Sequence, residues 1–379
     1  MMQAGVYIHI PFCQSRCAYC DFATGLYEGA LSESYVRALT AEINSFEMAS
    51  AHAPVDTIYF GGGTPSLLSP AQVSRLLLAV RARFHVASDA EVTMEMNPGT
   101  VTPATLRAFR ALGINRASFG AQTFDDRELK RLGRIHTAGD VRDTIRDLRD
   151  EGFANVSFDL IAGLPAQTLE AWSNNLEQAL ALHPEHLSLY LLEVHEGTPL
   201  AHQIMTGALP GPDDDVAAEM YRMMLDRTSA AGYEHYEISN FCLPGYESRH
   251  NTKYWMACAP VYGFGCSAHS YDGEHRRWSN ERDAARYINL IEAGHTPVVE
   301  TIILDEHDAR AEAIFLGLRL LRGVNLNEYH ARFGRDLRAD YATDLKRLRD
   351  AGLIELSDDL MRLTRHGALL SNEVFQTFV

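Results

Sequence analysis

The sequence has no long hydrophobic run, no excess of basic residues and few cysteines. No apolar stretch approaches the roughly 20 residues of a membrane-spanning helix, and residues 1–10 lack the basic and long apolar segments of a signal peptide. With 34 basic and 50 acidic residues, the formal net charge of −16 opposes attraction to nucleic acid. We therefore expect a cytoplasmic protein that does not bind nucleic acid.

The length of the chain favours more than one folding unit. Its 379 residues exceed the size at which a single hydrophobic core usually stops growing. A hydrophobic share of 46% with 22% charged residues is ordinary for a globular protein, so a sizeable core is expected. We expect one large α/β domain and a smaller appended domain.

Short apolar segments alternate with amphipathic segments through the first half of the chain. The predicted strands are residues 6–10, 57–61, 92–96, 117–121, 156–161 and 187–192, and the predicted helices are residues 32–46, 70–84, 103–112, 138–151 and 169–182. Such repeated units indicate a parallel sheet, either a barrel or a doubly wound sheet. Polar or glycine residues follow nearly every strand, which favours a barrel. We predict an incomplete (β/α)6 barrel.

Two further segments are predicted to follow this barrel. We assign residues 1–240 to the barrel, residues 241–300 to a connector rich in glycine and aromatic residues, and residues 301–379 to a C-terminal module. Two or three helices and a small hairpin make the module mostly helical and similar to a winged helix. In so acidic a chain we expect it to pack against the barrel and not to bind DNA.

Three cysteines lie within eight residues, just after the first predicted strand. Thiolates from Cys13, Cys17 and Cys20 satisfy three irons of a [4Fe–4S] cluster and leave the fourth iron open to a small molecule. The spacing alone leaves two alternatives: a zinc site with His9 or a distant residue as fourth ligand, and cysteines that merely pack. The remaining cysteines are expected to be buried packing residues, namely Cys242, Cys258 and Cys266.

The cysteine segment and a glycine run together resemble the radical SAM superfamily. The pattern CxxxCxxC follows the first strand, and Gly-Gly-Gly-Thr-Pro at residues 61–65 follows the second. A wider match, including residues 7–13, 59–66 and 158–165, resembles the oxygen-independent coproporphyrinogen oxidase group over essentially the whole chain. The resemblance implies a [4Fe–4S] cluster on Cys13, Cys17 and Cys20 that holds S-adenosylmethionine (SAM).

The same resemblance implies a set of SAM-binding residues near the strand ends. Glu95 would complement the methionyl ammonium and Arg134 the carboxylate, while Gln122 and Asp159 would meet the ribose hydroxyls. Taken singly, Glu95 and Asp159 are equally compatible with buried caps of neighbouring strands, and Arg134 with a surface charge. The implied set is Tyr7, Phe22, Gly62, Gly63, Thr64, Glu95, Gln122, Arg134 and Asp159.

The connector carries His-Asn-Thr-Lys-Tyr-Trp at residues 250–255, which resembles the HNxxYW signature of the HemW-type heme chaperones. The resemblance implies heme as a ligand, with His250 on the iron and with Tyr254 and Trp255 against the macrocycle. Considered without the resemblance, His250 is expected to hydrogen-bond a backbone carbonyl while Trp255 plugs the barrel mouth.

Two functions follow from these resemblances. The first is a heme chaperone that passes heme to acceptor hemoproteins, with cluster and SAM tuning dimerisation or transfer. The alternative is an oxygen-independent coproporphyrinogen III oxidase that uses radical SAM chemistry. Oxidases of this group carry CxxxCxxCxC and an additional N-terminal segment, whereas here Phe22 stands at the fourth cysteine position and twelve residues precede Cys13. The chaperones share the plain CxxxCxxC followed by Asp-Phe, so we favour the chaperone and assign no catalytic residue.

The implied partners are heme, acceptor hemoproteins and a second copy of the chain in a homodimer. Because acceptor hemoproteins are often membrane-bound, transient peripheral association with a membrane is also expected. No polybasic or lipid-anchor signal supports such an association. A generic SAM-binding scaffold remains as a third class of function.

Overall fold

A twelve-stranded sheet forms the centre of the computed structural model, which describes residues 2–47 and 53–379. The strands are β1 (Ala4–Ile10), β2 (Phe12–Cys13), β3 (Gly25–Leu26), β4 (Val55–Gly62), β5 (Val86–Met96), β6 (Arg116–Gln122), β7 (Val156–Ala162), β8 (His186–Leu191), β9 (Glu234–Glu237), β10 (Asn240–Cys242), β11 (Val261–Phe264), β12 (His269–Tyr271), β13 (Arg276–Asn280), β14 (Val298–Ile303), β15 (Val324–Asn325), β16 (Ile354–Leu356) and β17 (Leu360–Leu363). The order in the large sheet is β14-β13-β12-β11-β1-β4-β5-β6-β7-β8-β10-β9.

Helices follow most of the parallel strands. They are α1 (Gly29–Ser45), α2 (Pro70–Arg83), α3 (Pro103–Ala111), α4 (Asp126–Arg131), α5 (Ala138–Asp150), α6 (Leu169–Ala181), α7 (Pro199–Met205), α8 (Asp214–Ala230), α9 (Arg249–Tyr254), α10 (Ala284–Glu292), α11 (Glu306–Arg319), α12 (Leu326–Phe333), α13 (Leu337–Asp340), α14 (Ala342–Asp350), α15 (Arg365–Leu369) and α16 (Ser371–Phe375). Ser69, Thr102 and Thr137 each start a helix with a capping box, as their sequence positions suggest. Among the described residues, each helix is too short or too polar to span a membrane.

The six predicted βα units form the parallel part of the sheet. Strands β1, β4, β5, β6, β7 and β8 pair in chain order, each parallel to the next. Within residues 2–47 and 53–379 the edge strands β14 and β9 do not pair with each other. The predicted incomplete (β/α)6 barrel is therefore confirmed, and its strands end together at one rim, which we call the mouth.

The parallel strands are apolar outside and polar inside. Because alternate residues point to opposite faces of a strand, each strand contributes one series to each side. The outward series lies in the main hydrophobic core and includes Ile8, Phe60, Phe119 and Phe158. The inward series of these strands consists mainly of polar residues and glycine: Gly5, Tyr7, His9, Thr57, Tyr59, Gly61, Glu91, Thr93, Glu95, Arg116, Ser118, Gly120, Ser157, Asp159, His186 and Ser188. The interior is thus lined for polar contacts, and the stabilising apolar burial lies between sheet and helices.

Helix α9 closes the end of the barrel opposite the mouth, and we call it the floor helix. The Glu91 carboxylate accepts hydrogen bonds from the backbone N–H groups of Arg249 and His250, each at 3.1 Å. The Asp56 carboxylate lies 2.7 Å from Lys253 Nζ and 3.1 Å from Arg249 Nη2. Since Asp56 and Glu91 belong to β4 and β5, these contacts fix the floor helix to the strands.

The connector continues the large sheet, although its sequence suggests no βα unit. Strand β11 pairs parallel to β1, and β12, β13 and β14 extend the sheet by antiparallel pairing. Glycine lets β11 and β12 approach closely, since a Cβ at Gly263 would strike the His269 carbonyl. Our boundaries at residues 240 and 300 stay predictions. Cys242 and Cys266 are buried as expected, but the same prediction for Cys258 is wrong because its side chain is exposed.

The C-terminal module is mostly helical, as predicted. It adds a small antiparallel sheet in the order β15-β17-β16. The module contacts the barrel through Arg319, whose Nη2 donates to the fully buried carboxylate of Glu237 at 2.8 Å. A charge pair of this kind fixes the start of the module against the strands.

The ion pair of the floor helix gives a test of this architecture. Lys253 and Asp56 have side chains only 9% and 8% exposed. In Lys253→Met, Asp56 loses its nearest cation, so the free energy of unfolding should fall by about 3 kcal/mol. Urea denaturation followed by circular dichroism measures this change.

The matched control for this test is Lys346→Met, which breaks an ion pair with Asp350 in which both side chains are more than half exposed. Its effect should stay below about 0.5 kcal/mol. Equal effects of the two substitutions would contradict the floor-helix account.

Candidate functional site

The three clustered cysteines lie on a loop at the mouth. Cys13 ends the short strand β2, directly after β1, and the chain returns through β3, which pairs with β2. Backbone hydrogen bonds close this loop, from Tyr27 N–H to the Cys13 carbonyl at 2.9 Å and from Ala18 N–H to the Leu132 carbonyl at 2.9 Å. Residues 13–27, which we call the cysteine loop, are therefore anchored both on themselves and on the end of α4.

Two polar donors point at sulfur atoms of the cysteine loop. Thr64 Oγ1 donates to Cys13 Sγ at 3.7 Å, and Arg134 Nη1 donates to Cys17 Sγ at 3.4 Å. Burial raises the pKa of the Cys13 and Cys20 thiols, and the Thr64 hydrogen bond opposes this rise at Cys13. Because a metal ligand must be a thiolate, such donors favour the ligating form.

The separation of the thiols bears on the choice between zinc and a cluster. A tetrahedral zinc ion with Zn–S bonds of about 2.3 Å holds its thiolates about 3.8 Å apart. Among the described residues, the three sulfur atoms are not a group lying within 4.8 Å of one another. At least one pair of these sulfur atoms is therefore farther apart than in a zinc site, and an iron–sulfur cube keeps its cysteines farther apart. The three donors fit the larger group better.

The glycine run after β4 packs directly on the cysteine loop. Gly63 N–H donates to the Ile10 carbonyl at 2.8 Å and Thr64 N–H to the Phe12 carbonyl at 2.7 Å. A Cβ at Gly63 would lie 2.6 Å from the Phe12 carbonyl oxygen and 3.0 Å from Cys13 Sγ. Gly62 has a φ of 111°, which favours glycine. The absence of side chains here is what brings the two segments together.

Glu95 lies beside this glycine run, near the end of β5. Its carboxylate accepts hydrogen bonds from Tyr59 Oη at 2.8 Å and from Gly62 N–H at 3.0 Å. Burial raises the pKa of Glu95 to about 7, assisted by the charge of Asp159 and opposed by these two hydrogen bonds. The two hydrogen bonds thus hold the Glu95 carboxyl group in place at the mouth.

A polar ring continues around the mouth through Arg134, Asn97 and Asp159. Arg134 Nη2 donates to Asn97 Oδ1 at 2.6 Å and to the Gly120 carbonyl at 2.8 Å. Asn97 in turn donates to Thr64 Oγ1 at 2.7 Å, which links β5 to the glycine run. Burial raises the pKa of Asp159 to about 6. Our sequence analysis did not single out Asn97, although its position directly after β5 is the signal that could have found it.

The other implied SAM residues occupy different positions around this ring. Gln122 is buried at the end of β6 with a φ of 66°, next to an irregularity in the pairing of β6 with β7. Tyr7 lies inside the barrel, with its Oη 3.1 Å from His9 Nδ1. Phe22 is 62% exposed on the cysteine loop. The structure brings the set together at the mouth, with Tyr7 deeper and Phe22 outermost.

His250, in contrast, lies on the floor helix at the far end of the barrel. Its ring is fully buried, with Nδ1 2.9 Å from Thr57 Oγ1 and Nε2 3.1 Å from Tyr254 Oη. Thr57 precedes Gly62 by five residues on β4, about 16 Å along the strand. Burial, and next the charge of Lys253, lowers the pKa of His250 to about 3.

The surroundings of His250 differ from both roles considered for it in the sequence. Both ring nitrogens face hydroxyl groups and not a backbone carbonyl, and neither is open to solvent. The Arg319 guanidinium lies over the indole ring of Trp255, with its central carbon 4.1 Å from the ring centre. Trp255 is therefore on the side of the C-terminal module and not in the mouth. Heme ligation by His250 stays a prediction, and it requires the contact of one ring nitrogen with its hydroxyl partner to be broken, at Thr57 or at Tyr254.

Comparisons with known proteins match both the barrel and the C-terminal module. Residues 7–179 match the Radical SAM superfamily, and residues 304–370 match the HemN C-terminal domain family. The chain is 37% identical to "Heme chaperone HemW" of Bacillus subtilis over 98% of both chains, and 35% identical to that of Lactococcus lactis over 98% of this chain and 96% of the relative.

A solved structure shows the same fold. Coproporphyrinogen III oxidase (HemN) from Escherichia coli superposes with a TM-score of 0.85 at 23% sequence identity, covering 100% of this chain and 90% of that one. At this identity the likeness speaks for the architecture, including the C-terminal module, and not for the reaction.

The close approach at Gly63 yields a prediction about cluster assembly. Parent protein reconstituted anaerobically with iron and sulfide should hold about four irons per chain. In Gly63→Ala the added methyl collides with the Phe12 carbonyl and Cys13 Sγ, so the cysteine loop must move and the iron content should fall by at least about half. Iron and sulfide assays after desalting measure the effect.

Gly25→Ala is the matched control, because it lies on the same loop and a Cβ there meets nothing within 4 Å. It should load iron like the parent. Full loading of Gly63→Ala, or zinc in place of iron in the parent, would contradict the prediction.

Proposed function

This chain belongs to the HemW family of the radical SAM superfamily, and on that premise we propose that it binds heme and passes it to acceptor hemoproteins. The single observation that carries the proposal is similarity to heme chaperones over 98% of both chains. The cysteine loop adds to it, since CxxxCxxC is followed here by Asp21 and Phe22 without a fourth cysteine.

We propose that Cys13, Cys17 and Cys20 are the cluster ligands. When bound, a [4Fe–4S] cluster held by three thiolates supplies an iron with an open coordination position. The chain's own contribution is to fix these thiols beside the glycine run. Thr64 and Arg134, which already donate to two of the sulfurs, would stabilise the thiolate form.

We propose that SAM is held between the glycine run and the polar ring of the mouth. Gly62, Gly63 and Thr64 would offer backbone groups, and Glu95 would pair with the methionyl ammonium. Arg134 would meet the carboxylate through the second N–H of Nη1, because the first donates to Cys17 Sγ and Nη2 donates to Asn97 and Gly120. Four further residues complete the proposed site: Tyr7, Phe22, Gln122 and Asp159.

The oxidase alternative is less well supported by the residues present. At the position of the fourth cysteine of that group, the chain has Phe22, which is exposed and cannot ligate a metal. The likeness to the Escherichia coli oxidase at 23% identity concerns the fold. We propose that coproporphyrinogen is not the substrate of this chain.

Further proposals concern where and with whom the protein acts. We propose that it works in the cytoplasm, where its six free cysteines would stay reduced. Acceptors would include membrane-bound hemoproteins, reached by transient peripheral association. We also propose a homodimer, which the exposed edge strand β14 supports: Val299, Ile302 and Ile303 on it are 46–60% exposed.

The pKa of Glu95 predicts a pH dependence of SAM binding. Below its pKa of about 7 the carboxyl is neutral and pairs poorly with an ammonium, and above this pH it is ionised. SAM affinity of the parent should therefore rise relative to that of Glu95→Gln between about pH 6 and about pH 7.5, by up to about tenfold per pH unit. Equilibrium dialysis with cluster-loaded protein measures both affinities.

Using the ratio of the two affinities removes the titration of SAM itself, which both proteins share. A ratio that stays constant with pH would show that Glu95 does not meet the ammonium.

The chaperone function is tested by transfer of bound heme. The full chain should bind ferric heme stoichiometrically. It should transfer this heme to an apo-hemoprotein faster than heme dissociates spontaneously into buffer, because transfer occurs within a complex of the two proteins. Stopped-flow absorbance with increasing acceptor measures this rate, which should rise with acceptor concentration. A rate independent of the acceptor, or stoichiometric conversion of coproporphyrinogen in the presence of SAM and reductant, would defeat the proposal.

A further inference from the structure

The loop that follows β8 presents an exposed histidine whose ring nitrogens make no hydrogen bond to the described residues. The side chain of His195 is 44% exposed, with Nδ1 3.8 Å from Asp21 Oδ2 and Nε2 3.8 Å from Glu193 Oε2. Both distances exceed a hydrogen bond, and within residues 2–47 and 53–379 the ring makes none. This imidazole is therefore available to a ligand, in contrast to that of His250.

This loop lies directly against the cysteine loop. Leu200 N–H donates to the Ala18 carbonyl at 2.9 Å, and Leu192 N–H donates to the Ala162 carbonyl at the end of β7 at 2.9 Å. The segment 192–200 is thus fixed at both ends, and His195 stands between them. Its contact with Asp21, one residue after Cys20, places the imidazole on the rim of the mouth.

Apolar side chains flank this histidine on both loops. Phe22, next to Asp21, is 62% exposed, and Val194, next to His195, is 36% exposed. Exposed apolar side chains gathered beside an unpaired polar group are typical of a ligand surface. Their chemistry suits a flat apolar macrocycle that also offers a metal ion.

The charged neighbours fit a metal-bound imidazole. Asp21 faces Nδ1, and a carboxylate in that position orients a ligating histidine and strengthens it as a donor, leaving Nε2 for the metal. Arg282 Nη2 donates to the Asp21 carbonyl at 2.6 Å, so a guanidinium lies on the same rim. Glu193, the group nearest Nε2, has a side chain 79% exposed and is free to swing into solvent. Of these groups, the Arg282 guanidinium is the one that would meet a porphyrin carboxylate.

We propose that heme docks on this rim, with His195 Nε2 as a ligand to its iron, Asp21 orienting the imidazole, and two side chains against the macrocycle: Val194 and Phe22, which also borders the proposed SAM site. The inference rests on the proposed function and names its ligand site. It places heme at the same end of the barrel as the cysteine loop. On this proposal the floor helix serves to close the barrel, and the predicted ligation by His250 is the alternative that the titration distinguishes.

Titration of the full chain with ferric heme tests the assignment. The parent should bind one heme with a sharp Soret band. His195→Ala should lose that band and weaken heme affinity by at least about tenfold, because the iron loses its nitrogen ligand. Added imidazole should restore the band, which a merely structural role of His195 would not permit.

Two histidine variants serve as controls. Because the side chain of His195 is exposed, replacing it with alanine should not affect folding. The surface variant His366→Ala should keep the parent spectrum and affinity, and so should His250→Ala once circular dichroism shows that it is folded like the parent. A spectrum of His195→Ala identical to that of the parent, or loss of the band in folded His250→Ala alone, would overturn the inference while leaving the proposed function intact. Failure of the parent to bind heme would overturn both.

Discussion

Everything at the mouth depends on the close packing of a glycine backbone against the cysteine loop. Gly63 leaves no space for a Cβ beside the Phe12 carbonyl and Cys13 Sγ, and Thr64 both donates to that sulfur and receives a hydrogen bond from Asn97. Through Asn97 the same chain of contacts reaches Arg134 and Cys17. The thiols are therefore positioned by the ends of β1, β4 and β5 together and not by the cysteine loop alone.

In a barrel with a polar interior, each buried charge needs a nearby group of opposite charge. Arg116 is 1% exposed inside the barrel, and its Nε and Nη1 lack a hydrogen-bond partner among the described residues. Its charge opposes the burial that raises the pKa values of Glu95 and Asp159. The floor helix belongs to the same balance, because Lys253 and Arg249 compensate Asp56. The floor helix thus preserves the interior on which the mouth depends.

The sequence predicted most of the fold because six strands and their helices follow simple apolar periods, and the structure confirms these elements within a few residues. The strands of the connector were not predicted because β11 pairs with β1 across more than 240 residues of sequence, and no local pattern reveals such a pairing. At the site, the cysteines and Gly63 carry recognisable spacing. Asn97 is marked only by its position directly after β5, and the placement of His195 beside Asp21 arises only where two separate loops meet. His250 is the opposite case: its motif is easily recognised in the sequence, but its side chain is buried on the floor helix, away from the mouth.

The central claim is that three thiols at the mouth hold a cluster whose fourth iron is left for SAM. Electron–nuclear double resonance on the reduced, cluster-loaded full chain, with SAM labelled by nitrogen-15 at its amino group, tests this claim directly. The account predicts a nitrogen-15 hyperfine coupling that appears only when SAM is added. A spectrum unchanged by SAM, or one that shows a fourth ligand from the protein, would contradict it.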